Sequence, residues 1–127
     1  MVGEVNAMWC KGLSLEEWEE QATDEEEYYL HGKCHLWVLN NLREGDIAVI
    51  WNTFDEDLEE VVLIHCYIKR GNYYLDVRGE TTDEDKMEEG FEDFYTYDVG
   101  HVECNSKKEY MSWLDKILGE SWRKEIS

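Results

Sequence analysis

Proline is absent from all 127 residues, so Pro-rich linkers and PxxP ligands have no place in this chain. Positive charge is scarce as well: 12 Lys and Arg stand against 31 Asp and Glu, for a formal charge of −19 and a pI of about 4.4. A surface of that sign repels phosphates, which excludes a protein that works by gripping nucleic acid. No apolar run approaches the roughly 20 residues that a membrane span needs. The opening Met1-Val2-Gly3-Glu4-Val5-Asn6 lacks the basic and apolar regions of an export signal, so a soluble, cytoplasmic protein is expected. Cys10, Cys34, Cys66 and Cys104 lie far apart without CxxC spacing, which predicts free thiols rather than a disulfide framework. No repeat of about 20 to 50 residues occurs.

What is present is sufficient to fold. Hydrophobic residues make up 43% and aromatic residues 13% of the chain, enough burial to offset the entropy of ordering despite the charge. The length suits one compact domain over 1–127. Ser14 with Glu17, Thr23 with Glu26 and Ser106 with Glu109 have capping-box spacing, predicting helices near 15–21, 24–30 and 107–118. A further helix opens at Cys34, runs through Leu36, Trp37, Val38 and Leu39 to about Arg43, and stops at Gly45. Runs rich in β-branched and aromatic residues predict strands at 47–51, 61–68 and 73–77. An acidic helix near 82–89 and a strand at 95–99 complete an α+β protein, with helices packed on a small, mostly antiparallel sheet.

Gly71-Asn72 is a two-residue hairpin signal, and it fixes a register. Arg70 then pairs with Tyr73, Ile68 with Leu75, Tyr67 with Asp76 and His65 with Arg78. One face carries Ile64, Cys66, Ile68, Leu75 and Val77; the other carries His65, Tyr67, Asp76 and Arg78. His65 and Asp76 become diagonal neighbours, roughly 7 Å apart at the backbone and within reach of an imidazole–carboxylate hydrogen bond. Cys34 at a helix N-terminus sits in the positive end of the macrodipole, which favours a thiolate. A nearby His would act as base and acid, with a carboxylate fixing its tautomer.

A Cys opening a helix, then a His on a strand, then an Asp on the following strand resembles the papain-like cysteine hydrolase superfamily, including its small NlpC/P60-like and transglutaminase-like branches. The resemblance spans about 28–79. It implies a hydrolase or transferase acting on an amide, ester or isopeptide, with Cys34 as nucleophile, His65 as base and Asp76 as orienting group, and no cofactor. The family's oxyanion Gln has no counterpart close before Cys34, because the sole glutamine is Gln21. Tyr28 or Tyr29 would serve, as a tyrosine does in NlpC/P60-like enzymes, or the Cys34 amide alone. Arg78 would bind a substrate carboxylate or pair with Asp76.

Other readings of the same residues stand beside this one. Cys34 also fits a small buried hydrophobe, His65 a satisfied sheet histidine, Asp76 a turn cap, and His35 competes as a partner for Cys34. His31 with Cys34, His101 with Cys104, and His65-Cys66 make a zinc ligand set thinkable, although the tight paired knuckles of structural zinc sites are missing. Asp55-Glu56-Asp57-Leu58-Glu59-Glu60 lacks the central glycine of an EF-hand. The acids fall in blocks, eight in 16–27, five in 55–60 and eight in 80–93, so three segments hold most of the negative charge. In size and charge the chain also resembles acidic nucleic-acid-mimic proteins, such as phage-encoded inhibitors of restriction and CRISPR nucleases. That resemblance implies a non-enzymatic inhibitor binding a basic nucleic-acid enzyme. The expected partner is thus a basic protein or a peptide-like substrate, with neither nucleic acid nor membrane bound directly.

Overall fold

The computed structural model describes residues 9–30, 33–91 and 99–126. The helix starts follow from their caps. Helix α1 (Leu15–Gln21) has a reciprocal box, with Ser14 Oγ accepting from the Glu17 amide and Glu17 from the Ser14 amide. Helix α2 (Asp24–Leu30) is preceded by the same exchange between Thr23 and Glu26. Helix α3 spans Cys34–Asn41 and helix α4 Lys107–Leu118. At α4, Ser106 caps the Glu109 amide, but the Glu109 carboxylate reaches back to the Asn105 amide instead of that of Ser106. Helix α3 ends before the expected Arg43; Gly45, at φ +90°, belongs to the turn that leads into the sheet.

Five antiparallel strands follow: β1 (Ile47–Asp55), β2 (Glu60–Arg70), β3 (Tyr73–Asp76), β4 (Gly79–Thr81) and β5 (Val99–Cys104), in the order β4-β3-β2-β1-β5. The fold is therefore α+β, as the sequence indicates. Gly71 at φ +59° makes the tight turn, and Arg70 pairs with Tyr73 and Ile68 with Leu75, as the hairpin arithmetic requires. The ladder between β2 and β3 stops at Ile68 and Leu75, so the expected pairings of Tyr67 with Asp76 and of His65 with Arg78 do not form. Strand β3 stops at Asp76, and the chain turns at once into β4, with Asp76 opposite Gly79. The acidic segment expected as a helix over 82–89 is a 3-10 turn at Glu84–Glu88. Of the strand expected at 95–99, only Val99 lies within the described residues, where it opens β5.

Two apolar clusters sandwich the sheet. On one face Ala48, Ile50, Cys66, Ile68, Leu75 and Cys104 pack against Leu36, Val38 and Leu39 of α3 and Tyr110 and Leu114 of α4. On the other, Val49, Trp51, Ile64 and Tyr67 meet Cys10, Trp18, Leu30, Met87 and Phe91. Ile64 and Val77 thus join the face opposite the one that strict alternation assigns them. The cause is local in each case: the β1–β2 register shifts between Trp51 and Asn52, a bulge that inserts Ile64, and β3 has ended before Val77. No helix among the described residues is long and apolar enough to cross a membrane.

Candidate active site

His65 and Asp76 meet as the register predicts. His65 Nε2 lies 3.0 Å from Asp76 Oδ2, and both residues are buried. The imidazole is clamped in an aromatic setting: Phe91 stacks on it at 4.3 Å, and Trp51 and Tyr67 approach from the sides. With Nε2 committed to the carboxylate, Nδ1 is the free end of the ring, and this buried atom has no hydrogen-bond partner among the described residues. A buried polar atom without a partner is costly, and such atoms concentrate where chemistry needs them.

Cys34 occupies the first position of α3. Its N-cap residue, Lys33, makes no side-chain capping bond, and the first turn contains no acid, so the positive end of the helix is not neutralised from within. The thiol is held well below the ordinary thiol range. A hydrogen bond from Cys66 is the largest cause and outweighs burial, with His35 and His65 acting in the same direction. Burial pushes the His65 imidazole toward its neutral form, but Asp76 and Cys34 outweigh it and raise its pKa. Each of the two groups therefore shifts the other toward its charged form. His65 Nδ1 makes no hydrogen bond to another described residue, and Cys34 and His65 each act on the other's ionisation. Loose nucleophile–base geometry is common before substrate binds.

Asp76 is the hub. Burial opposes its ionisation, yet the Arg78 guanidinium and His65 hold the carboxyl well below the usual carboxylate range. Arg78 donates from its backbone amide and Nε to Oδ1, at 2.8 and 3.2 Å, and from Nη2 to Oδ2 at 2.7 Å. Its remaining reach goes to the Glu89 carbonyl at 2.6 Å, while Trp9 stacks 4.5 Å from the guanidinium carbon. Of the two roles open to Arg78, the structure displays the pairing with Asp76, and the side chain is enclosed.

The other sequence candidates fall as follows. Tyr28 is half exposed and meets Tyr29 edge-on at 5.3 Å; Tyr29 packs against the cluster that contains Cys34 and lines a groove of about 250 Å³ with Glu25, Glu26 and Trp37. No described hydrogen bond ties either phenol to Cys34 or His65. His35 is buried beneath Trp122, with Nε2 3.7 Å from Glu125. Cys34, Cys66 and Cys104 are buried in one cluster, and all four thiols are free. His101 and Cys104, three apart on β5, point to opposite sides: His101 is exposed and stacks on Trp51, whereas Cys104 is buried. His31 lies outside the described residues, and among those described no group of three His, Cys, Asp or Glu is placed to hold a metal ion.

Two participants escaped sequence reasoning. Cys66 was legible as a core residue of β2, and the helix bearing Cys34 had to cover that same face, so their meeting was implicit in the alternation. Phe91 carried no local signal, because a chain distant from β2 delivers it to His65.

Compared with protein-family models, curated proteins and solved structures, the chain matches none.

Proposed function

We propose that the protein is a thiol hydrolase or transferase of papain-like type, acting on an amide, ester or isopeptide through Cys34, His65 and Asp76. The observation that carries this reading is the polarity of the His65 ring: Asp76 holds Nε2, and the partnerless Nδ1 belongs to an imidazole that the Cys34 thiol influences. In the reaction, the Cys34 thiolate attacks the carbonyl carbon and its electron pair forms the C–S bond. Protonated His65 gives the Nδ1 proton to the departing amine or alcohol as the C–N or C–O bond breaks. Neutral His65 then takes a proton from the incoming water or amine, which attacks the thioester and returns the thiolate. The amide of Cys34, at the start of α3 where Lys33 supplies no side-chain cap, is the donor this reading assigns to the oxyanion. Cys34, with 6% exposure, is the less enclosed of the two, since His65 has none.

The test is acylation by p-nitrophenyl acetate. An acetyl adduct on Cys34, absent in Cys34→Ala and formed at least about tenfold more slowly in His65→Ala, is expected, because general-base assistance contributes about 10²–10⁴. Release of p-nitrophenolate at the same rate by wild type and Cys34→Ala would refute the proposal.

A second reading draws support from a separate observation. The acids of α1 and α2 are largely exposed, and Lys11 lies beside them, 3.6 Å from Glu26. In this reading the protein is an acidic inhibitor that binds a basic nucleic-acid enzyme. It requires that charge reversal within 16–27 abolish binding, that salt weaken binding steeply, and that Cys34→Ser leave it intact.

A further inference from the structure

The β1–β2 hairpin ends in a structure that solubility does not explain. Phe54 and Val61 are directly opposed in the ladder, so their side chains share one face, and Leu58 stands in the turn between them. All three are exposed, at 56%, 41% and 61%. Around them lie Asp55, Glu56, Asp57, Glu59 and Glu60, and no Lys or Arg occurs between Asn52 and Val62. The turn is built: Asp55 Oδ1 accepts from the amides of Asp57 and Leu58 at 2.9 and 3.2 Å, and Glu59 adopts a left-handed φ of +53°. Leu58 is therefore presented by an ordered tip.

Three large apolar side chains clustered in water mark an interaction site rather than scatter. The chemistry of the tip identifies what it fits. A ring of five carboxylates disfavours an anionic membrane, a nucleic acid and a second copy of the same tip, each of which brings like charge. We propose that the hairpin tip docks into another protein, with Leu58 and Phe54 filling an apolar pocket bordered by Lys or Arg residues. Aliphatic and aromatic anchors supply the affinity at such sites, and the charged rim supplies orientation and on-rate. The proposal deepens the acidic-inhibitor reading and rests on it for the partner's charge; it is independent of Cys34.

The experiment places the photo-crosslinker p-benzoylphenylalanine at position 58 of the full chain, irradiates the cells that make it, and maps the adducts by mass spectrometry. The same residue at Asn72, in the exposed turn of the other hairpin, is the control. Capture alone decides nothing. The expected result is an adduct to one protein, at an apolar residue flanked by Lys or Arg, whose yield falls about tenfold or more with Phe54→Ser, the loss expected of one buried anchor. Combined Glu56→Lys and Glu60→Lys should abolish it. An adduct to a second copy, to lipid, or to a surface without basic residues overturns the proposal, as does a yield no higher than at position 72. If charge reversal abolishes the adduct and Phe54→Ser does not, the apolar plug is refuted while the acidic-inhibitor reading survives. If neither change matters, the docking proposal falls, and charge reversal within 16–27 then decides the acidic-inhibitor reading. Phe54→Ser keeps the net charge and alters an exposed side chain, and an unchanged thermal melt checks that the fold is intact.

Discussion

Replacing Asp76 by Asn isolates the electrostatic centre of the site with almost no change in volume. Both carboxylate oxygens are occupied by donors: Oδ1 by the Arg78 amide and Nε, Oδ2 by Arg78 Nη2 and the His65 ring. Whichever way an Asn amide is placed, its NH2 group faces another donor, and the enclosed guanidinium of Arg78 loses its counter-charge. Breaking a buried pair by removing one partner costs about 3–5 kcal/mol, because the remaining charge is uncompensated. That is a large share of the roughly 5–15 kcal/mol that holds a domain together. For a chain of this length it corresponds to a fall in melting temperature of about 10–20 °C. Urea titration followed by tryptophan fluorescence gives the free energy, and scanning calorimetry the temperature. The double variant Asp76→Asn with Arg78→Met should recover more than half of the loss, since it leaves no unpaired guanidinium buried. A loss below about 1 kcal/mol for Asp76→Asn, or no recovery in the double variant, would refute this account of Asp76 as a buried hub.

Stability should also depend on acid through the same residue: its depressed carboxyl contributes in full above the ordinary value of 3.8 and loses that contribution as pH falls below it, so Asp76→Asn should flatten the urea-midpoint profile at the acid end. Tyr110→Phe removes the hydroxyl that donates to the His35 carbonyl at 2.8 Å and should cost about 1–2 kcal/mol by urea titration, with Cys34 alkylation retained. Ser106→Ala removes the cap of α4 and should cost about 1 kcal/mol in the same titration, while Ser106→Asp should cost less than half as much.

The parts of the fold legible in the sequence are those set by short-range rules. Capping pairs located α1, α2 and α4 because their hydrogen bonds close within three residues. The Gly71 turn located the pairing of Ile68 with Leu75, and hence the meeting of His65 with Asp76, because alternation propagates register from a tight turn. Alternation failed at Ile64, where a bulge set by the β1 partner inserts a residue, and at Arg78, where the chain leaves β3 to wrap the guanidinium around Asp76. Neither event has a local signature. The tip of the β1–β2 hairpin shows in the sequence only as a block of acids, because the exposure of Phe54 and Val61 depends on tertiary packing that local pattern does not encode.

The central claim is that Cys34 and His65 form a thiolate–imidazolium pair, and the pH profile of alkylation at Cys34 tests it most directly. Iodoacetamide labelling of the native protein, read by mass spectrometry at each thiol, should give a Cys34 rate that is already on its plateau at neutral pH and drops in acid. His65→Ala should move that midpoint upward. Cys10 and Cys104, whose thiols burial pushes up to about 11, should stay unlabelled over the same range. A Cys34 rate that keeps climbing through pH 9 as an ordinary thiol does, and that is indifferent to His65→Ala, would contradict the account.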